Sequence, residues 1–196
     1  GATIEERRKA GIGLTRPELA IVLAYSKIQL TSSLVASDIP EDPYFAGELE
    51  RYFPARLARR FGAELREHRL RREIVAMLLS SSIINRMGPF FVLRAREEVG
   101  ASVAQIARAY SIAREIFDVR RLWRNIEALE HDAAAALQYD TMIQIGRMLR
   151  RAVYWLLQRQ PDALDIEAAV TRLRPAVARV TEVLPRIAIG GSGRRF

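Results

Sequence analysis

The chain has 196 residues, 49% of them hydrophobic and 28% charged, a balance that excludes a disordered or collagen-like polypeptide. At this length folding buries roughly 70% of the unfolded chain's surface, and the absence of cysteine excludes a disulfide framework, a thiolate metal site and a cysteine nucleophile and fits a reducing, cytoplasmic setting. The net charge of +8 admits a nucleic-acid partner only if it is concentrated. It is spread thin, with 9 basic and 8 acidic residues in 1–62, 12 and 9 in 63–130, and 10 and 6 in 131–196.

Helical signals recur from end to end, and no run alternates as a strand would, so the expected fold is all-α, a bundle of roughly eight to ten helices without a sheet. Thr15, Pro17 and Glu18 announce a first helix as N-cap, first-turn proline and capping-box carboxylate, with Leu19, Val22, Leu23 and Ser26 on one face. The tract Ser37-Asp38-Ile39-Pro40-Glu41-Asp42-Pro43 reads as a loop in which Asp42 caps a helix opened by Pro43. Short helices are expected through Tyr52 and from Pro54 to Phe61, stopped by Gly62. Residues 67–87 begin charged and turn apolar on nearly all sides over 74–84, marking the expected centre of the core. The serines at 80–82 can bond back to carbonyls one turn earlier.

Gly88 ends that helix, Pro89 starts the next and Gly100 ends it. Ser102 and Gln105 suggest a second capping box, before a buried stripe of Val103, Ile106, Tyr110, Ala113 and Phe117. Asp118 and Asp132 are candidate caps. The longest helix is expected over about 133–160, with a seam of Met142, Ile145, Leu149, Ala152 and Leu156 flanked by Met148, Trp155 and Leu157, and a polar side carrying Gln144, Arg147, Arg151 and Gln158. Pro161 and Asp162 break it, Asp165 caps a further helix, and Pro175 divides or kinks that last one. Residues 190–196 read as a flexible tail.

Chemical motifs are sparse. Gly11-Ile12-Gly13 lacks the third glycine and the preceding strand of a dinucleotide loop, and neither Lys9 nor Lys27 has a P-loop context. His68 and His131 stand far apart without metal-ligand spacing, and read as surface or interface histidines. Asp162, Asp165 and Glu167 lack a calcium loop's spacing and glycine. Tyr110, Tyr154 and Trp155 near arginines could stack on bases, but their helical spacing favours core or rim positions. Arg66, Arg69, Arg71 and Arg72 lie within a turn of Glu64, Glu67 and Glu73, as on a solvated, locally paired helix face. Phe90, Phe91, Trp123 and Trp155 are surplus apolar residues expected to be buried locally. Catalytic, cofactor-binding and metal-binding residues are all read as none, and no apolar run reaches the length of a membrane span.

Several tracts, in order, carry a resemblance. Gly13-Leu14-Thr15-Arg16-Pro17-Glu18-Leu19-Ala20, continuing through Tyr25-Ser26-Lys27-Ile28, resembles a signature of the C-terminal part of the large bacterial NAD-dependent glutamate dehydrogenases. Ala36-Ser37-Asp38-Ile39-Pro40 with Pro43-Tyr44, Tyr52-Phe53-Pro54, and His68-Arg69-Leu70-Arg71-Arg72-Glu73-Ile74 running to Ile84-Asn85-Arg86-Met87-Gly88 agree with it. So do Ala107-Arg108-Ala109-Tyr110, Ala113-Arg114-Glu115-Ile116-Phe117 and Leu122-Trp123. The resemblance implies a piece of a very long polypeptide that converts L-glutamate and NAD to 2-oxoglutarate, ammonium and NADH. Its Rossmann domain and lysine-bearing glutamate pocket would lie upstream, so NAD belongs to the parent and no cofactor to this piece.

The implied organisation is a lead-in over 1–14, a helical domain over 15–160, further helices over 161–189 and a tail over 190–196. Both ends, the first without an initiator Met, then read as cuts in a longer chain. The expected partners are the catalytic domain of the same polypeptide and other subunits of a homo-oligomer, without membrane or nucleic acid, and the expected role is structural, assembly or regulatory. A free-standing basic helical adaptor or nucleic-acid module is the second reading.

Overall fold

A computed structural model describes residues 2–129, 133–159 and 164–190. Among them lie ten α-helices and no strand: α1 (Ala2–Lys9), α2 (Arg16–Val35), α3 (Ala46–Tyr52), α4 (Ala55–Arg66), α5 (Arg71–Met87), α6 (Phe91–Val99), α7 (Val103–Ile116), α8 (Val119–Glu127), α9 (Ala135–Arg159) and α10 (Ile166–Gly190). The expected all-α architecture is therefore the observed one. Two compact units divide the chain, Gly1–Ala104 and Gln105–Phe196.

In the first unit α2 begins where the capping signal placed it. The Glu18 carboxylate accepts from the Thr15 backbone N–H and from its hydroxyl, both at 2.7 Å, and Arg7 lies 3.3 Å away. The Thr15 backbone bond, its hydroxyl bond and the Arg7 charge hold the carboxyl below the ordinary value of 4.5. Because the folded value lies below the unfolded one, Glu18 contributes to the helix start above pH 4.5, and the contribution disappears as pH falls through the folded value. Acidification is therefore expected to fray the first turn of α2 before the core opens. Amide exchange at Leu19 and Ala20, followed from neutral to acidic pH and compared with Glu18→Gln, checks it; equal exchange in the two proteins at neutral pH would refute it.

Asp42 caps as expected, its carboxylate accepting from the Tyr44 N–H at 3.1 Å. The tract around it is tighter than a plain loop, because two 3-10 turns, Ile39–Glu41 and Pro43–Phe45, bury Ile39, Pro40 and Phe45. A proline within the first two positions of each turn presets φ. Gly62 does not stop α4; the irregularity falls at Phe61, with φ −127° and ψ 29°, and the helix resumes to Arg66. Glu67 ends α4 rather than opening α5, which starts at Arg71.

The core of this unit forms between α2 and α5, which pack along one another. Leu30 and Leu34 of α2 and Val75, Ala76, Leu79, Ile83 and Ile84 of α5 are buried, each large aliphatic side chain contributing about 1.5–3 kcal/mol of transfer free energy. Ser80 returns a bond to the Met77 carbonyl at 3.0 Å and also meets the Thr31 hydroxyl at 2.6 Å, so the polar break in the apolar run is matched across the helix pair.

Gly88 ends α5 at φ 88°, ψ 165°, and Gly100 ends α6 at φ 72°. Pro89 lies in the turn before α6, whose first residue is Phe91. A methyl group at Gly88 would meet no atom within 4 Å, so the cost of Gly88→Ala is backbone strain alone. It is expected to lower stability by about 1–3 kcal/mol, read as a shift in the urea midpoint without a change in slope.

In the second unit α7 is buried on nearly every side, from Ile106, Ala107, Ala109 and Tyr110 to Ile112, Ala113, Arg114 and Ile116. It is more deeply buried than α5, which leaves Met77 37% exposed. Val103 and Phe117, at the two ends of the expected stripe, are only partly covered. Asp118 occupies the N-cap position of α8 but adopts a left-handed conformation (φ 47°) and makes no capping bond. Its carboxylate pairs with Arg121 at 2.8 Å instead.

α9 shows the expected face in part: Ile145, Leu149, Leu156 and Leu157 are buried, joined by Val153, whereas Met142, Met148 and Ala152 are only partly covered, and Gln144, Arg147, Arg151 and Gln158 are exposed. Asp165 caps α10, accepting from the Ala168 N–H at 2.9 Å. α10 is one helix through Pro175 to Gly190, so the proline does not divide it, and position 190 is helical rather than part of a tail. His131, Asp132, Pro161, Asp162 and the remaining tail residues, 191–196, lie outside the described residues.

Candidate functional site

Three of the four arginines flagged at 66–72, namely Arg66, Arg71 and Arg72, find partners far from their own turn. Arg66 places Nε and Nη2 on one Glu50 oxygen at 2.9 and 2.7 Å. Arg72 pairs with Glu41 and donates to the carbonyls of Val35 and Ser37, the latter at 3.0 Å, so it neutralises the C-terminal end of α2. Arg71 lies 3.9 Å from the same Glu41. The expected local pairing with Glu64, Glu67 and Glu73 is replaced by links that tie three segments of the first unit together. These residues hold the fold and leave little free charge for a polyanion.

The other flagged residues scatter. Gly11 and Gly13 lie in the turn between α1 and α2, with a helix on either side. His68 accepts at Nδ1 from the Leu70 N–H at 3.1 Å and stands 5.7 Å from the Phe53 ring, closing the turn into α5. Among the described residues no three His, Asp or Glu side chains are grouped to hold a metal ion. Of the four surplus aromatics, Phe91 and Trp123 enter the core, at 3% and 7% exposure, whereas Phe90 and Trp155 stay 45% and 49% exposed. Local burial was expected for all four; two fail because the faces carrying them lack a covering element.

Trp155 marks a groove of about 790 Å³ in the second unit. Its walls come from the end of α7 (Ile116, Phe117), α8 (Leu122), α9 and α10 (Leu173, Ala176, Val177). α9 contributes apolar Ile145, Met148, Ala152, Trp155 and Leu156 together with polar Thr141, Gln144, Arg147 and Arg151. The spacing explains this. Positions 144, 147, 148, 151, 152 and 155 share one face of a 3.6-residue helix, so the polar side read from the sequence is also the wall of a groove.

Among the described residues no carboxylate lines the groove and none pairs with Arg147 or Arg151. Beside it Glu115 is already engaged, by Arg174 at 3.1 Å, Arg114 at 3.7 Å and Arg120 at 3.9 Å, while its carbonyl accepts from Arg174 at 3.0 Å. The surroundings are apolar and net positive, without a nucleophile–base pair or a converging set of carboxylates. That chemistry suits binding an apolar group with negative flanks rather than moving a proton. Sequence periodicity placed the arginines on α9 but had no means of showing that α10 and the end of α7 leave them beside a hollow.

Residues 11–195 match the family model described as "Glutamate dehydrogenase, C-terminal". The chain belongs to the C-terminal glutamate dehydrogenase family. Proteins named NAD-specific glutamate dehydrogenase are 41% identical to it over 177 residues in Halomonas elongata, 41% over 175 in Pseudomonas aeruginosa and 36% over 178 in Mycobacterium tuberculosis. These alignments take in 90%, 89% and 91% of this chain but 11% of each relative. The likeness carried by the tracts between Gly13 and Trp123 thus extends through α10, and the second reading, a free-standing adaptor or nucleic-acid module, gains no support. Among the described residues of this family member no single helix is long and apolar enough to cross a membrane.

Proposed function

We propose that this chain is a non-catalytic helical portion of a large NAD-specific glutamate dehydrogenase. The whole polypeptide would deaminate L-glutamate oxidatively to 2-oxoglutarate and ammonium while reducing NAD. The family match over residues 11–195 carries this reading, supported by relatives of that name of which the chain covers 11%. In this reading the segment packs against the catalytic portion of its own polypeptide and against other subunits of a cytoplasmic homo-oligomer. Each of its two units has its own buried side chains, Leu34 and Ile83 in the first and Tyr110 and Leu149 in the second, which suits a scaffold rather than a moving lid.

The test compares three proteins for glutamate-dependent NADH formation: the whole polypeptide, the same polypeptide without this segment, and the 196-residue chain alone. The whole polypeptide is expected to be active and the chain inactive, with the deletion changing the assembled mass seen by light scattering. NADH formation by the isolated chain at the rate of the whole polypeptide would overturn the non-catalytic assignment, and an inactive whole polypeptide would overturn the parent's.

A further inference from the structure

We infer that the groove between α9 and α10 docks an amphipathic helix bearing Asp or Glu beside its apolar face, supplied by a part of the parent polypeptide outside these 196 residues. The inference rests on the reading of the chain as a portion of that longer dehydrogenase. Three observations support it.

Trp155 is the first. An indole 49% exposed in the wall of an apolar groove is the kind of side chain that anchors interfaces when a partner covers it. Charge is the second. Arg147 and Arg151 stand one helical turn apart on the same wall, both exposed, and among the described residues neither has a partner and no carboxylate lines the groove. Two arginines at this spacing fit carboxylates at i and i+4 on a facing helix, whereas a basic or neutral helix would leave them opposed or unpaired.

Length is the third. The relatives are about nine times longer than the region they share with this chain, so a tethered segment reaches the groove at the high effective concentration of an intramolecular partner. Helix-in-groove docking also matches the lining, in which α9 contributes residues from Thr141 to Leu156, with apolar contacts recurring every three or four residues.

Site-specific photo-crosslinking in the whole polypeptide tests this. Trp155 is replaced by the photoreactive amino acid p-benzoylphenylalanine, the purified protein is irradiated, and the linked peptides are identified by mass spectrometry. Arg150, exposed and outside the groove, serves as the comparison site. The expected result is a link from position 155, and not from 150, to one segment outside this chain that carries Asp or Glu beside apolar residues at helical spacing. Adding Arg147→Glu with Arg151→Glu is expected to lower that yield roughly tenfold, while Arg147→Lys with Arg151→Lys keeps most of it.

Links confined to these 196 residues, in the same or a second copy, links to a different protein, or no link at all would overturn the proposal. So would an outside link indifferent to the charge reversal. Glutamate-dependent NADH formation by the unmodified polypeptide is measured in parallel. Loss of the parent assignment then shows as missing activity, and loss of the docking proposal as a missing or charge-insensitive link in an active enzyme.

Discussion

Replacing Phe45 with alanine is expected to remove about 3–5 kcal/mol of stability, a large share of the roughly 5–15 kcal/mol available to a protein of this kind. Phe45 is 1% exposed and closes the second of two 3-10 turns, elements with little stability of their own. Its ring meets Tyr44 edge-on at 5.0 Å, and buried Ile39 and Leu49 lie on the segments joined to it. Removing the ring empties the anchor of the connection between α2 and α3. Urea unfolding followed by circular dichroism measures the loss, and Phe45→Leu is expected to cost roughly half as much or less. A loss below about 1 kcal/mol for Phe45→Ala would show that the site collapses around the gap and that the anchor is elsewhere.

Leu149→Ala is expected to cost about 2–5 kcal/mol and Trp155→Ala no more than about 1 kcal/mol, although the two residues share α9 and tryptophan is the larger. Leu149 is fully buried and Trp155 is 49% exposed, so the first substitution leaves a cavity and the second removes a ring of which about half already meets water. Urea melts of the two variants in the isolated chain decide it. If Trp155→Ala proved as damaging as Leu149→Ala, the indole would belong to the core and the groove would lose its anchor. The order is expected to weaken in the whole polypeptide, where a docked helix would cover the ring.

The site was legible only in part. Arg147, Arg151 and Trp155 stood out as positions on α9, because side chains three and four apart share a helix face whatever surrounds it. The groove did not, since it exists only where α10 and the end of α7 stop short of covering that face. Trp123 and Trp155 make the same point: both follow helical stripes, yet one is 7% and the other 49% exposed, according to whether another helix lies over them.

By itself the sequence determined the local events: the start of α2 at Thr15 and Glu18, the Asp42 and Asp165 caps, the stops at Gly88 and Gly100, and the helical class. Each depends on atoms within about one turn, where backbone geometry and near-neighbour hydrogen bonds decide the outcome. Ordered tracts likewise sufficed for the family, because identity along a chain needs no coordinates. Tertiary structure alone decided that Arg72 closes α2 through Val35, Ser37 and Glu41, that Arg66 takes Glu50, that α4 continues past Gly62 and α10 past Pro175, and that α7 is the most enclosed helix. Those outcomes compare a local preference of a few tenths to a few kcal/mol with packing and ion pairs made across the fold, and only the arrangement of helices fixes which is larger.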